Sequence, residues 1–75
     1  MYCKENLMEM NWIDGFTIKV SVCNGTAMIS ANREGLLSLA VQLTALAAET
    51  PGCHIHYDPY NSLEESSNEL IIEKL

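Results

Sequence analysis

Residues 16–22 alternate without a break: Phe16, Ile18, Val20 and Val22 face one way, and Thr17, Lys19 and Ser21 face the other. That period of two predicts a half-buried strand. Asn24-Gly25 follows, a pair suited to a two-residue type I′ turn because both central residues need positive φ. Closing the hairpin there sets Cys23 against Thr26, Val22 against Ala27 and Val20 against Ile29. Ala27 and Ile29 then join the buried face, and Met28 points outward.

Residues 32–48 switch to helical spacing, with Ser30 or Asn32 available as N-cap. Leu36, Leu39, Ala40, Leu43, Leu46 and Ala47 form one broad stripe, flanked by Leu37, Val41, Ala45 and Ala48. Only Ser38, Gln42 and Glu49 make a polar ridge. Leu36, Leu39, Leu43 and Leu46 are expected in the core with Ile18, Val20, Val22, Ile29, Ile55, Tyr57, Leu70 and Ile72. The apolar character reaches further round the helix than one sheet covers. Either the N-terminal arm with Trp12 covers the excess, or another subunit or partner does, and a homodimer or larger assembly is the expected outcome.

Thr50-Pro51-Gly52 ends the helix, since proline cannot continue it and glycine suits the reversal. Residues 53–58 predict a strand, 59–67 a polar connector anchored by Leu63, and 68–74 a last strand with Leu70 and Ile72 inward. The order ββαββ predicts an α+β fold: an antiparallel four-stranded sheet with one helix packed across one face. Residues 1–15 read as an N-terminal arm or short edge strand. They contain the apolar residues Leu7, Met8, Met10, Trp12 and Ile13. Residues 16–75 read as a single domain, a small one for a core that folds unaided.

Charge narrows the partners. The 75 residues carry ten acidic groups against four basic ones, a net charge of −6. Such a surface repels phosphate, which argues against nucleic acid and anionic membrane and favours a basic protein. The three cysteines are widely spaced, with no Cys-x-x-Cys, so reduced thiols in a cytoplasmic protein are expected rather than a disulfide framework or structural zinc. The chain start lacks the basic and apolar regions of a signal peptide.

The chemically suggestive residues lie close together. His54, His56 and Asp58 alternate, so they share one face of the predicted strand. They are the only candidate metal ligands, and a fourth ligand and a pocket are both missing. No cofactor is expected, and no physiological metal site. His54 cannot activate Cys53 as a nucleophile, because neighbours in a strand face opposite sides. No catalytic residue emerges. Asp58, Tyr60, Glu64 and Glu65 make an acidic, aromatic loop beside the histidine face, suited to protein recognition because tyrosine supplies a large rigid contact with one polar end.

Three segments carry a family resemblance: Asn32-Arg33-Glu34-Gly35-Leu36-Leu37-Ser38-Leu39-Ala40, Pro51-Gly52-Cys53-His54-Ile55-His56-Tyr57-Asp58, and Ser62-Leu63-Glu64-Glu65-Ser66-Ser67-Asn68-Glu69-Leu70-Ile71-Ile72-Glu73. Together they resemble the small immunity-protein family numbered thirty-two of bacterial polymorphic toxin systems. Cys53 and Ser66 stand where that family tends to small residues, and residues 1–15 look peculiar to this chain. The resemblance implies a non-enzymatic cytoplasmic protein that binds and neutralises a toxin. Combined with the charge, it points to a basic toxin. The expected contact is His54, His56, Asp58, Tyr60, Glu64 and Glu65. A metal-binding protein built on the His-x-His-x-Asp strand, or a homo-oligomeric structural protein, are the other readings.

Overall fold

A computed structural model describes residues 11–75. Five elements follow one another: β1 (Ile18–Cys23), β2 (Thr26–Ala31), α1 (Arg33–Ala47), β3 (His54–Tyr57) and β4 (Leu70–Glu73). The hairpin β1–β2 has the expected register, with Cys23 opposite Thr26 and Val20 opposite Ile29. Asn24 and Gly25 take φ of 52° and 80°, as the type I′ turn requires.

The single four-stranded sheet is corrected to two antiparallel sheets of two strands each, β1–β2 and β3–β4. The reason lies at the second edge of β1. Instead of another strand, the connector runs along it: the amides of Glu64 and Asn68 donate to the carbonyls of Ile18 and Val20, both at 2.8 Å. The return bonds end on side chains, Val20 N–H on Ser67 Oγ at 3.1 Å and Val22 N–H on Asn68 Oδ1 at 3.2 Å. Ser66 between them has φ of 66°, so this strip satisfies β1 without adopting strand geometry.

Asn32 settles the choice of N-cap. Its Oδ1 accepts from Gly35 N–H (2.7 Å) and Thr17 N–H (3.0 Å), while its Nδ2 donates to the Gly15 carbonyl (2.9 Å). One side chain thus ties the helix start to the turn before β1. Gly35 comes so close that an added Cβ would lie 2.6 Å from the Thr17 carbonyl and 3.1 Å from the Ala31 Cβ. Only the missing side chain allows that approach.

The helix faces differently from the sequence expectation. Leu39 and Leu46 are buried, but Leu36 is 55% exposed and Leu43 40%. Ser38 and Gln42, expected on an outer ridge, are fully buried instead. Their polar atoms all have partners, which makes this orientation tolerable. Ile13 N–H donates to Ser38 Oγ at 2.9 Å, and that hydroxyl donates to the Glu34 carbonyl at 2.8 Å. Gln42 Nε2 donates to the Asn11 carbonyl at 2.9 Å, and Gln42 Oε1 accepts from the Tyr57 hydroxyl at 2.8 Å. The end of the arm therefore packs on the helix, with Trp12 stacked on Phe16 (centroids 4.3 Å apart) and edge-on to Tyr57. The rest of the expected arm, including Leu7, Met8 and Met10, lies outside the described residues.

Ile18, Val20, Ile55 and Tyr57 are core residues as expected, and Leu63 is a buried anchor. Leu70 and Ile72 are half-buried against this core. Val22 and Ile29 are exposed, because the helix reaches only the half of the hairpin nearest Ala31. Cys23 is an exposed free thiol, whereas buried Cys53 is disulfide-bonded. The thiol argument for a reducing compartment therefore does not extend to Cys53. Among the described residues no helix is long and apolar enough to cross a membrane.

Candidate functional site

The β3–β4 register explains why the histidines are displayed. His54 pairs with Glu73, Ile55 with Ile72, His56 with Ile71 and Tyr57 with Leu70. Alternation sends Ile55, Tyr57, Leu70 and Ile72 to the core and leaves His54, His56, Ile71 and Glu73 on the other face. The two imidazole centroids lie 4.8 Å apart. His54 Nδ1 sits 3.2 Å from the Gly52 carbonyl, and His56 Nδ1 sits 3.5 Å from Glu69 Oε2. Glu69 is the diagonal neighbour of His56 across the ladder, a position that sequence spacing could not assign without the register.

Asp58 stands apart from that face. Its Oδ1 accepts from the amides of Tyr60 (2.8 Å) and Asn61 (3.1 Å), an Asx-type turn. Its carbonyl accepts from the amides of Asn61, Ser62 and Leu63. The carboxylate is thereby committed to its own loop and does not join the imidazoles. Among the described residues, no group of three or more His, Cys, Asp and Glu is placed to hold a metal ion.

That turn does something else. It projects Tyr60, 98% exposed, away from the body. Buried Leu63 then pins the loop, and the bond from Glu64 N–H to Ile18 pins its end. Glu64 and Glu65 leave this fixed backbone with exposed side chains. The hydrogen-bonded loop thus bears Tyr60, Glu64 and Glu65, and the outer face of β3–β4 bears His54, His56, Glu69 and Glu73. The sequence expectation did not count the last two carboxylates among the contact residues. A backbone held by its own hydrogen bonds loses little freedom when a partner docks.

Tyr57, on the opposite face of β3, is wholly buried. Burial pushes its hydroxyl up from the ordinary 10.0 to about 12, because a phenolate there would lose its hydration. It is a structural donor to Gln42, not a reactive group.

The family described as Immunity protein 32 matches residues 26–75, two thirds of the chain. The chain belongs to that family. No curated protein and no solved structure is similar to it.

Proposed function

We propose that the protein neutralises a toxin by binding it directly and covering its working surface, without catalysis. Membership of an immunity-protein family supplies the role. The observation that carries the mode of action is the locked acidic strip, where Tyr60 and the Glu64 and Glu65 carboxylates project from a pinned backbone. The partner is a basic protein, drawn in by the net charge of −6. The contact comprises Tyr60, Glu64 and Glu65 with His54 and His56, and Asp58 acts by shaping the loop. Tyr60 supplies the desolvated anchor, and the carboxylates supply steering and register. The cytoplasm of the producing cell is the site of action, where a toxin would first do harm. The chain also pairs with itself, as the exposed Leu36, Leu37, Val41 and Leu43 of α1 suggest.

Co-expression with candidate toxins provides the test. A stoichiometric complex that is inactive as a toxin, and that salt weakens, is the expected result. Survival of the host without any complex would overturn occlusion.

A further inference from the structure

Two edges of the first hairpin are treated very differently. In a two-residue hairpin closed by Cys23 and Thr26, alternate residues exchange hydrogen bonds within the pair, and those between direct their peptide groups outward. On β1 the outward residues are Ile18, Val20 and Val22, and the connector 64–68 satisfies them. On β2 the corresponding residues are Ala27, Ile29 and Ala31, opposite Val22, Val20 and Ile18. Among the described residues, no hydrogen bond reaches the outward groups of Ala27 or Ile29.

Bare strand edges are normally blunted by charge, proline or a bulge. β2 reads Thr-Ala-Met-Ile-Ser-Ala, pairs without a bulge and carries no charged residue. Met28 and Ile29 are 56% and 43% exposed. The helix continues this surface, with Arg33 as the charged residue at the start of its exposed face. Gly35 abuts Ala31, and beyond it Leu36, Leu37, Ala40, Val41, Leu43, Thr44, Ala47 and Ala48 are all exposed.

We propose that the edge of β2, flanked by the exposed arc of α1, is the seam of a symmetric homodimer. This rests on the self-association proposed above and adds its location and register. A two-fold axis through Ile29 places that residue opposite itself and Ala27 opposite Ala31 of the partner copy. All three outward residues then find backbone partners, and two sheets become one continuous four-stranded sheet across the dimer.

The occupant is a second copy for reasons of charge and size. Each copy carries −6, so a close approach is favoured where neither side adds negative charge; β2 carries no charge, and the charge at the start of the α1 arc is Arg33, paired with Glu34 at 3.9 Å. The acidic strip would attract a basic partner but repel another copy. A standard interface takes about a tenth of a small protein's surface, on the order of 500 Å² of the 5205 Å² here. The strand edge alone, ~20 Å by ~10 Å, falls short. With the neighbouring helix arc, ~22 Å long and ~10 Å wide, the patch is about 400 Å² per copy, the scale of a weak, reversible interface.

The test uses the full chain without a tag. Sedimentation should give a dimer mass that dissociates on dilution. Amide exchange of the wild type should show Ala27 and Ile29 protected, increasingly so as concentration rises. Ala27→Pro deletes an outward N–H without touching the β1 ladder. Ile29→Lys places two like charges on the axis. Each should raise the dimer dissociation constant at least about tenfold. A monomer at every concentration would overturn both self-association and this seam. A dimer that persists in the variants, or whose Ala27 and Ile29 amides exchange freely, would overturn the seam alone. Because exchange is read on the wild type, it decides the matter even where a variant fails to fold.

Discussion

Removing the Tyr57 hydroxyl and the Gln42 amide together should cost less stability than the two single losses added up. Tyr57 O–H donates to Gln42 Oε1 at 2.8 Å, and both residues are fully buried. In Tyr57→Phe the Gln42 oxygen keeps its burial and loses its donor, which costs about 1–3 kcal/mol. In Gln42→Leu the hydroxyl is stranded instead, and the Asn11 carbonyl loses the bond from Nε2. That carbonyl belongs to an exposed residue and can turn to water, so the Tyr57 oxygen dominates the loss. The double variant removes both buried partners, so its loss should be smaller than the sum by about 0.5–3 kcal/mol. In a domain this size each kcal/mol shifts Tm by roughly 4–8 °C, so the differences are readily resolved. Urea unfolding followed by Trp12 fluorescence provides the assay, because Trp12 packs against Tyr57. Protein concentration is held low and constant, since self-association would add to apparent stability. Additive losses, with a coupling below about 0.5 kcal/mol, would refute the buried Tyr57–Gln42 pair and with it the orientation of the helix.

Two further outcomes follow from the same packing. Gly35→Ala would gain about 1 kcal/mol of helix propensity, but its Cβ would meet the Thr17 carbonyl at 2.6 Å and the Ile18 side chain at 2.9 Å. A net loss of about 1–3 kcal/mol is expected in thermal melts, and a stabilised variant would mean that the contact gives way freely. For Tyr57 the folded pKa of about 12 lies above the ordinary 10.0, so the unfolded state releases its proton first. Stability should therefore be whole below pH 10.0 and fall by up to about 3 kcal/mol as pH rises towards about 12. In Tyr57→Phe that part of the alkaline loss should vanish from the urea midpoints.

The first hairpin was legible because its signals are local: Asn24-Gly25 fixes the turn, and the turn fixes the register. The orientation of α1 was not. With Leu, Val and Ala on most of its circumference, the spacing favours no single face, and the decision falls to distant partners. Asn11, Ile13 and Tyr57 supply the bonds that let Ser38 and Gln42 turn inward. The excess apolar surface was visible in the sequence; that it includes Leu36 and Leu43 was not. The single sheet failed for a similar reason, since Ser67 and Asn68 use side chains to occupy an edge that another strand would otherwise take. At the candidate site, period two was enough to group His54 with His56. Glu69 required the β3–β4 register, and the withdrawal of Asp58 required the turn at Tyr60 and Asn61.

The central claim is that a fixed acidic strip steers a basic toxin onto the protein. Glu64 and Glu65 are exposed, and the backbone hydrogen bonds around them do not involve their carboxylates. Replacing both by Lys reverses the local field and leaves the fold intact. The association rate of this variant with a toxin that the wild type binds, measured by stopped flow at several salt concentrations, is the most direct test. The account predicts slower association, a smaller dependence on salt, and an unchanged unfolding midpoint, because screening acts beyond about 8 Å at physiological ionic strength. An association rate and salt dependence identical to those of the wild type would contradict it and move the contact away from this strip.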